Sequence, residues 1–147
     1  MRKTVQLLSA ASLCGCVAAA PRPDAGGQRV NSVPVSPIPI SLALEEIITT
    51  GVRQRLQDPS AAKFGTMLAG ERTLGGRREI VVCGYVNAMR PSGGNGASEP
   101  FVAKIYPDAG SSFELVAKGD DSPNARPVVG EACRTAGLPI LDSSTKT

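Results

Sequence analysis

The sequence predicts an α+β domain: an antiparallel sheet of three to four strands, an N-terminal amphipathic helix, a short C-terminal helix and one disulfide. Three observations point there. Leu44, Ile48, Val52 and Leu56 recur at every fourth position, the spacing of one helical face. The run "REIVVCGYVNAM" (78–89) alternates side chains that are apolar on both faces, the signature of a strand covered on both sides. The segments "PFVAKIYP" (100–107) and "SFELVAKG" (112–119) flank the turn residues "DAGS" and pair as a hairpin.

Taken in order, the helix spans 42–57. Ser41 is a suitable N-cap, Glu45 and Glu46 sit at the positive end of the helix dipole, and Asp58-Pro59 stops the helix. Residues 62–70 form a short first strand. In the long strand, Ile80, Val82, Gly84, Val86 and Ala88 share one face, and Val81, Cys83, Tyr85 and Met89 the other, so this strand is expected to be central. Arg77 and Arg78 mark its polar entry, and "PSGGNGASE" (91–99) is a flexible connection. The C-terminal helix covers 127–136, with Val129, Cys133 and Ala136 on one face and Gly137 as its C-cap. The domain is expected over 41–140, with 141–147 a disordered tail.

The first forty residues have another character. Arg2 and Lys3 precede an uncharged, modestly apolar run from Val5 to Gly15, too short to span a bilayer but shaped like a bacterial export signal. Leu13-Cys14-Gly15-Cys16 resembles a bacterial lipobox, which makes 1–15 the signal peptide and Cys16 the lipidated first residue of the mature chain. The rival is ordinary cleavage beside Ala18-Ala19-Ala20, where Pro21 is unfavourable to the enzyme and a cut one residue earlier avoids it. Several acyl chains on Cys16 would anchor durably where a single chain is marginal. Residues 16–40 follow as lipidated cysteine and spacer, holding five of the twelve prolines and no apolar periodicity.

Composition removes several function classes. The chain of 147 residues has no histidine, which eliminates any Ser/His/Asp triad or Cys/His pair built from this chain alone and the commonest zinc ligand. Loss of Arg2 and Lys3 reduces the 16 basic residues to 14, against 13 acidic, so there is no electrostatic case for nucleic acid. Aromatic residues make up 3%, too few for stacking platforms.

Cys83 and Cys133 are the even pair that remains once Cys14 and Cys16 are assigned to the signal and anchor. In an oxidising compartment they are expected as a structural disulfide, worth roughly 4 kcal/mol in the chain-entropy model. Buried free thiols fit less well, and a redox role suits cysteines much closer together. Other constellations are weak. "SGGNGAS" lacks the Lys-Ser/Thr ending of a phosphate loop. Asp120, Asp121 and Asn124 in "GDDSPN" offer oxygens for calcium, but the spacing favours an Asx-type turn. Glu71, Glu79, Glu99, Glu114 and Glu131 show no spacing that selects an acid/base pair, and Glu114 reads as solvent-facing.

The motifs "DPSAAKF" (58–64), "VVCGYVNA" (81–88) and "GGNGASEPFVA" (93–103) together resemble those of a group of small secreted or lipid-anchored bacterial domains. The match runs through Asp58, Pro59, Ser60, Ala62, Lys63 and Phe64, then Cys83, Gly84, Val86 and Asn87, then Phe101 and Cys133. It implies the same helix-plus-sheet fold and the disulfide, and no reaction or ligand. Asn95 and Ala97 stand where that group's loop carries aromatics, which argues against a shared binding role.

These readings lead to a non-enzymatic, lipid-anchored cell-envelope protein, with no catalytic, cofactor or metal residues, expected at the outer membrane facing the periplasm. Its partner is the membrane, through Cys16. The alternative is an interaction module, an inhibitor or accessory subunit of a cell-wall hydrolase or secretion complex, or a soluble periplasmic form.

Overall fold

The computed structural model describes residues 33–88 and 96–141. The sheet has five antiparallel strands rather than three or four: β1 (Ser36–Ile38), β2 (Lys63–Leu74), β3 (Arg77–Asn87), β4 (Ser98–Tyr106) and β5 (Ser112–Lys118), in that spatial order. Helix α1 (Leu42–Arg53) covers one face and α2 (Ala125–Ala136) the other, with β3 in the middle as its two apolar faces require.

The additional strand comes from the segment expected to be spacer. Ser36, Pro37 and Ile38 pair with Glu71, Gly70 and Ala69, and Val35 is buried in the core. The domain therefore includes Val35–Ile38, ahead of the expected start at residue 41. Proline allows this because β1 is an edge strand, where a missing N–H costs no ladder bond on the solvent side. The proposed signal peptide, Cys16 and residues 17–32 lie outside the described residues, as do 89–95 of the Gly-rich connection and 142–147.

Helix α1 begins as expected: Ser41 Oγ accepts from the Leu44 amide at 3.2 Å. Its regular turns end at Arg53, four residues before the expected stop, because the chain tightens. The amides of Arg55 and Leu56 donate to the carbonyls three residues back, and Leu56 still packs against the core. Asp58 then caps a short 3-10 turn (Pro59–Ala61), accepting from the Ser60 hydroxyl at 2.7 Å and the Ser60 and Ala61 amides. The Ser60 hydrogen bond, followed by the amide bonds, holds the Asp58 carboxyl below its ordinary pKa.

Strand β2 runs past the predicted end at residue 70, through Leu74, into a two-residue hairpin at Gly75-Gly76. Both glycines have positive φ, 56° and 79°, which a type I′ turn requires. Between Phe64 and Met67 a bulge inserts one extra residue. This places Phe64 and Met67, three apart, on the same α1-facing side. A second bulge lies on β5, where Ala117 pairs with Val102 and Leu115 with Ala103.

Two cores result. On one face Leu44, Ile48 and Val52 of α1 meet Ile80, Val82, Val86, Phe101, Ala103 and Ile105. On the other, Val129, Ala132, Cys133 and Ala136 of α2, with Leu138, meet Val35, Val81, Cys83 and Val102. The expected Cys83–Cys133 disulfide joins β3 to α2, with Cα atoms 5.9 Å apart. Helix α2 starts two residues earlier than expected. It ends in a Schellman pair, the Leu138 amide on Cys133 O and the Gly137 amide on Arg134 O, with Gly137 at φ 82°.

Candidate functional site

The α2 face of the sheet changes character along its length. Pleating turns Glu79, Val81, Cys83 and Tyr85 of β3 to this side, and the register brings Leu68, Gly70 and Arg72 of β2 and Val102 and Lys104 of β4 beside them. Helix α2 covers the apolar stretch around Val81, Cys83 and Val102. Beyond it, toward the Gly75-Gly76 turn, the same face carries a polar row drawn from four strands: Arg72, Glu79, Lys104 with Tyr106, and Glu114.

Glu79 is the centre of that row. Its Oε1 accepts from Arg72 Nε at 2.9 Å and also from Arg72 Nη2, and its Oε2 meets Lys104 Nζ at 3.3 Å. Side-chain exposure is 8% for Glu79, 3% for Arg72 and 15% for Lys104, so the cluster is desolvated. Arg72 also donates from Nη1 to the carbonyl of Val33 at 2.6 Å. One carboxylate thus pairs with two cations, leaving the triad one positive charge in excess, and both of its oxygens are committed. A buried charge triad of this kind is tolerated because every member has partners.

Next to it the Tyr106 hydroxyl donates to Glu114 Oε2 at 2.7 Å. Burial, then this bond and the nearby Glu114 and Glu79 charges, push the Tyr106 phenol up to about 12, while Arg72 opposes the rise. The fold favours the neutral phenol. Its contribution to stability is complete below the ordinary tyrosine value of 10.0 and is lost as pH climbs toward about 12. Spectrophotometric titration, with Tyr106→Phe to assign the signal, is expected to show this late transition and to show it moving down in Glu114→Gln. A Tyr106 titrating at 10 would contradict the hydrogen-bonded geometry.

The opposite end of the sheet holds an open cleft of about 410 Å³ lined by Arg55, Asp58, Gly96, Glu99, Lys118 and Asp120 among others. The acidic turn after β5 folds back on it: Asp120 forms an ion pair with Lys118, and Asp121 Oδ2 accepts from the Lys118 amide at 2.7 Å. The aspartate oxygens of "GDDSPN" are thus turned back to Lys118, not forward to the amide two residues on that the expected Asx-type turn uses. Asn124 precedes α2 without a side-chain capping bond. Glu99 Oε2, enclosed, meets Arg126 Nη2 at 2.9 Å as an ion contact rather than an aligned hydrogen bond, while Arg126 also donates to Ser98 O.

The five glutamates singled out in the sequence thus fall into separate settings. Glu71 pairs with Arg78 and Glu131 with Arg134 on the surface, and Glu99 pairs with Arg126. Glu79 and Glu114 are the two that the fold brings together, on the sides of Tyr106. Glu114 is exposed, as expected of a solvent-facing strand residue, and accepts the Tyr106 hydroxyl. Arg72, Lys104 and Tyr106 went unremarked in the sequence. Lys104 carried a signal, two residues beyond Val102 on one strand face, but which strands lie side by side is set by register.

No family model, curated protein or solved structure matches the chain.

Proposed function

We propose that this chain is a non-enzymatic, lipid-anchored protein of the bacterial cell envelope that presents a small disulfide-stapled domain at the end of a short spacer. The observation that carries the reading is Leu13-Cys14-Gly15-Cys16, placed after a basic start and a short apolar run. Cys16 would bear the diacylglycerol thioether and an acylated amine, and the outer membrane facing the periplasm is the proposed address.

The fold supports this reading in two ways. A disulfide between buried cysteines suits an oxidising compartment. The chain also enters the domain at one end. Because β1 runs antiparallel to β2, Val33 lies beside Arg72 at the Gly75-Gly76 end of the sheet. Residues 17–32 then form the spacer, which covalent geometry limits to a span of about 55 Å.

Metabolic labelling with radioactive palmitate tests the anchor. The wild-type chain is expected to take up label and partition with membranes, and a Cys16→Ala chain to do neither. A wild-type chain as unlabelled as the variant would rule the anchor out.

A further inference from the structure

We infer that Val33–Ile38 is a strap latched by the disulfide-bonded helix, so that closure of Cys83–Cys133 decides where the spacer ends. The strap lies over β2 before joining the sheet edge. The Val35 amide donates to the carbonyl of Ala136 at 3.0 Å, on the last turn of α2, one turn past Cys133. The Schellman pair already occupies the Cys133 and Arg134 carbonyls, and the strap takes one left over. The Val35 side chain fills the space above Gly70, where an added Cβ would stand 2.1 Å from Val35 Cγ2. Val35 belongs to the same apolar cluster as Cys83 and Cys133.

The two helical layers are unequal. Helix α1 docks through Leu44, Ile48 and Val52 against large side chains, Phe101 and Ile105 among them. Helix α2 docks mainly through Val129, two alanines and the cysteine itself. Small side chains bury little apolar area, so α2 depends on the covalent bond far more than α1 does. An element whose side chains bury little apolar area opens at lower free energy than the core. With the thiols reduced, α2 lifts and the strap loses Ala136 and one wall of the Val35 site. The spacer then lengthens to Val35, a gain of about 10 Å in reach, while Ser36–Ile38 stay paired with β2.

Closing the latch is a two-electron step. Each cysteine gives up one proton and one electron, and a disulfide oxidant of the envelope accepts both pairs and leaves as a dithiol, while the Sγ–Sγ bond forms. The consequence for the membrane rests on the lipid anchor proposed above. The latch itself does not, so it is tested on a full chain in which Cys14 and Cys16 are replaced by alanine.

Hydrogen exchange compares this oxidised chain with the same chain carrying Cys83→Ala and Cys133→Ala. In the double variant the amides of Val35 and α2 are expected to exchange on the order of 100-fold faster than those of Ile80–Val86 in the same molecule. Exchange of Val35 in step with β3, whether slow or fast, overturns the latch. A Gly70→Ala chain with the bond intact is expected to free the Val35 amide and leave the α2 amides slow. If Val35 stays slow, or if α2 loosens with it, the strap is not a passenger of the helix and the proposal fails. An unlabelled chain in the palmitate experiment would leave both results standing.

Discussion

Replacing Phe101 by alanine is expected to cost about 3–5 kcal/mol, measured by denaturant unfolding with the slope unchanged. Phe101 is fully buried, with 0% exposure, on the α1 side of β4. Its ring meets that of Phe64 edge-on, centroids 6.4 Å apart and planes at 89°. It also lies over Gly84, where an added Cβ would stand 3.0 Å from the ring. The missing side chain on β3 is what gives the ring its place. With three phenylalanines and no tryptophan in the chain, nearby side chains are mostly Val, Ile and Ala. These are stiff or short; Met67, beside the same Gly84, can fill part of the void, and the rest of the cavity term adds to the transfer term. A loss is a large part of the roughly 5–15 kcal/mol that holds a domain together. A loss under about 1 kcal/mol would show that the site collapses freely, against the packing described.

Glu79→Ala is expected to have an effect of similar size, about 3–5 kcal/mol, by a different route. It leaves the Arg72 guanidinium and the Lys104 ammonium buried side by side without their shared counter-charge. The comparison is Glu71→Ala, which breaks the more exposed pair with Arg78 and is expected to cost no more than about 1 kcal/mol. If the two substitutions cost the same, the triad is not a desolvated unit. Replacing Arg72, Glu79 and Lys104 together by apolar residues of similar volume is expected to be far milder than Glu79→Ala, because no uncompensated charge stays behind. That triple change also removes the hydrogen bond from Arg72 to the Val33 carbonyl, and with it one hold on the point where the spacer enters.

Much of the architecture was legible because its causes are local or periodic. Ser41 and the four-residue spacing from Leu44 define α1, and Gly137 marks the end of α2. The alternation in 78–89 located the central strand and both of its faces, which α1 and α2 occupy. The even cysteine pair indicated the staple. One miss was avoidable: Gly75-Gly76 between two stretches able to form strands is itself a hairpin signal, and it would have extended β2 to Leu74. Other misses were not avoidable. A three-residue strand with a proline in it has no periodicity of its own, and β1 exists only because Glu71 to Ala69 offer it an edge.

The sequence by itself determined the chemistry available: no histidine, two cysteines for one bond, a lipobox-like Cys16, and which residues are apolar at which period. Only the tertiary structure decided which of them meet. The polar row of Arg72, Glu79, Lys104, Tyr106 and Glu114 and the docking of Val35 above Gly70 depend on strand register. Register comes from pairing between distant residues and from two bulges, each of which shifts every later side chain to the opposite face.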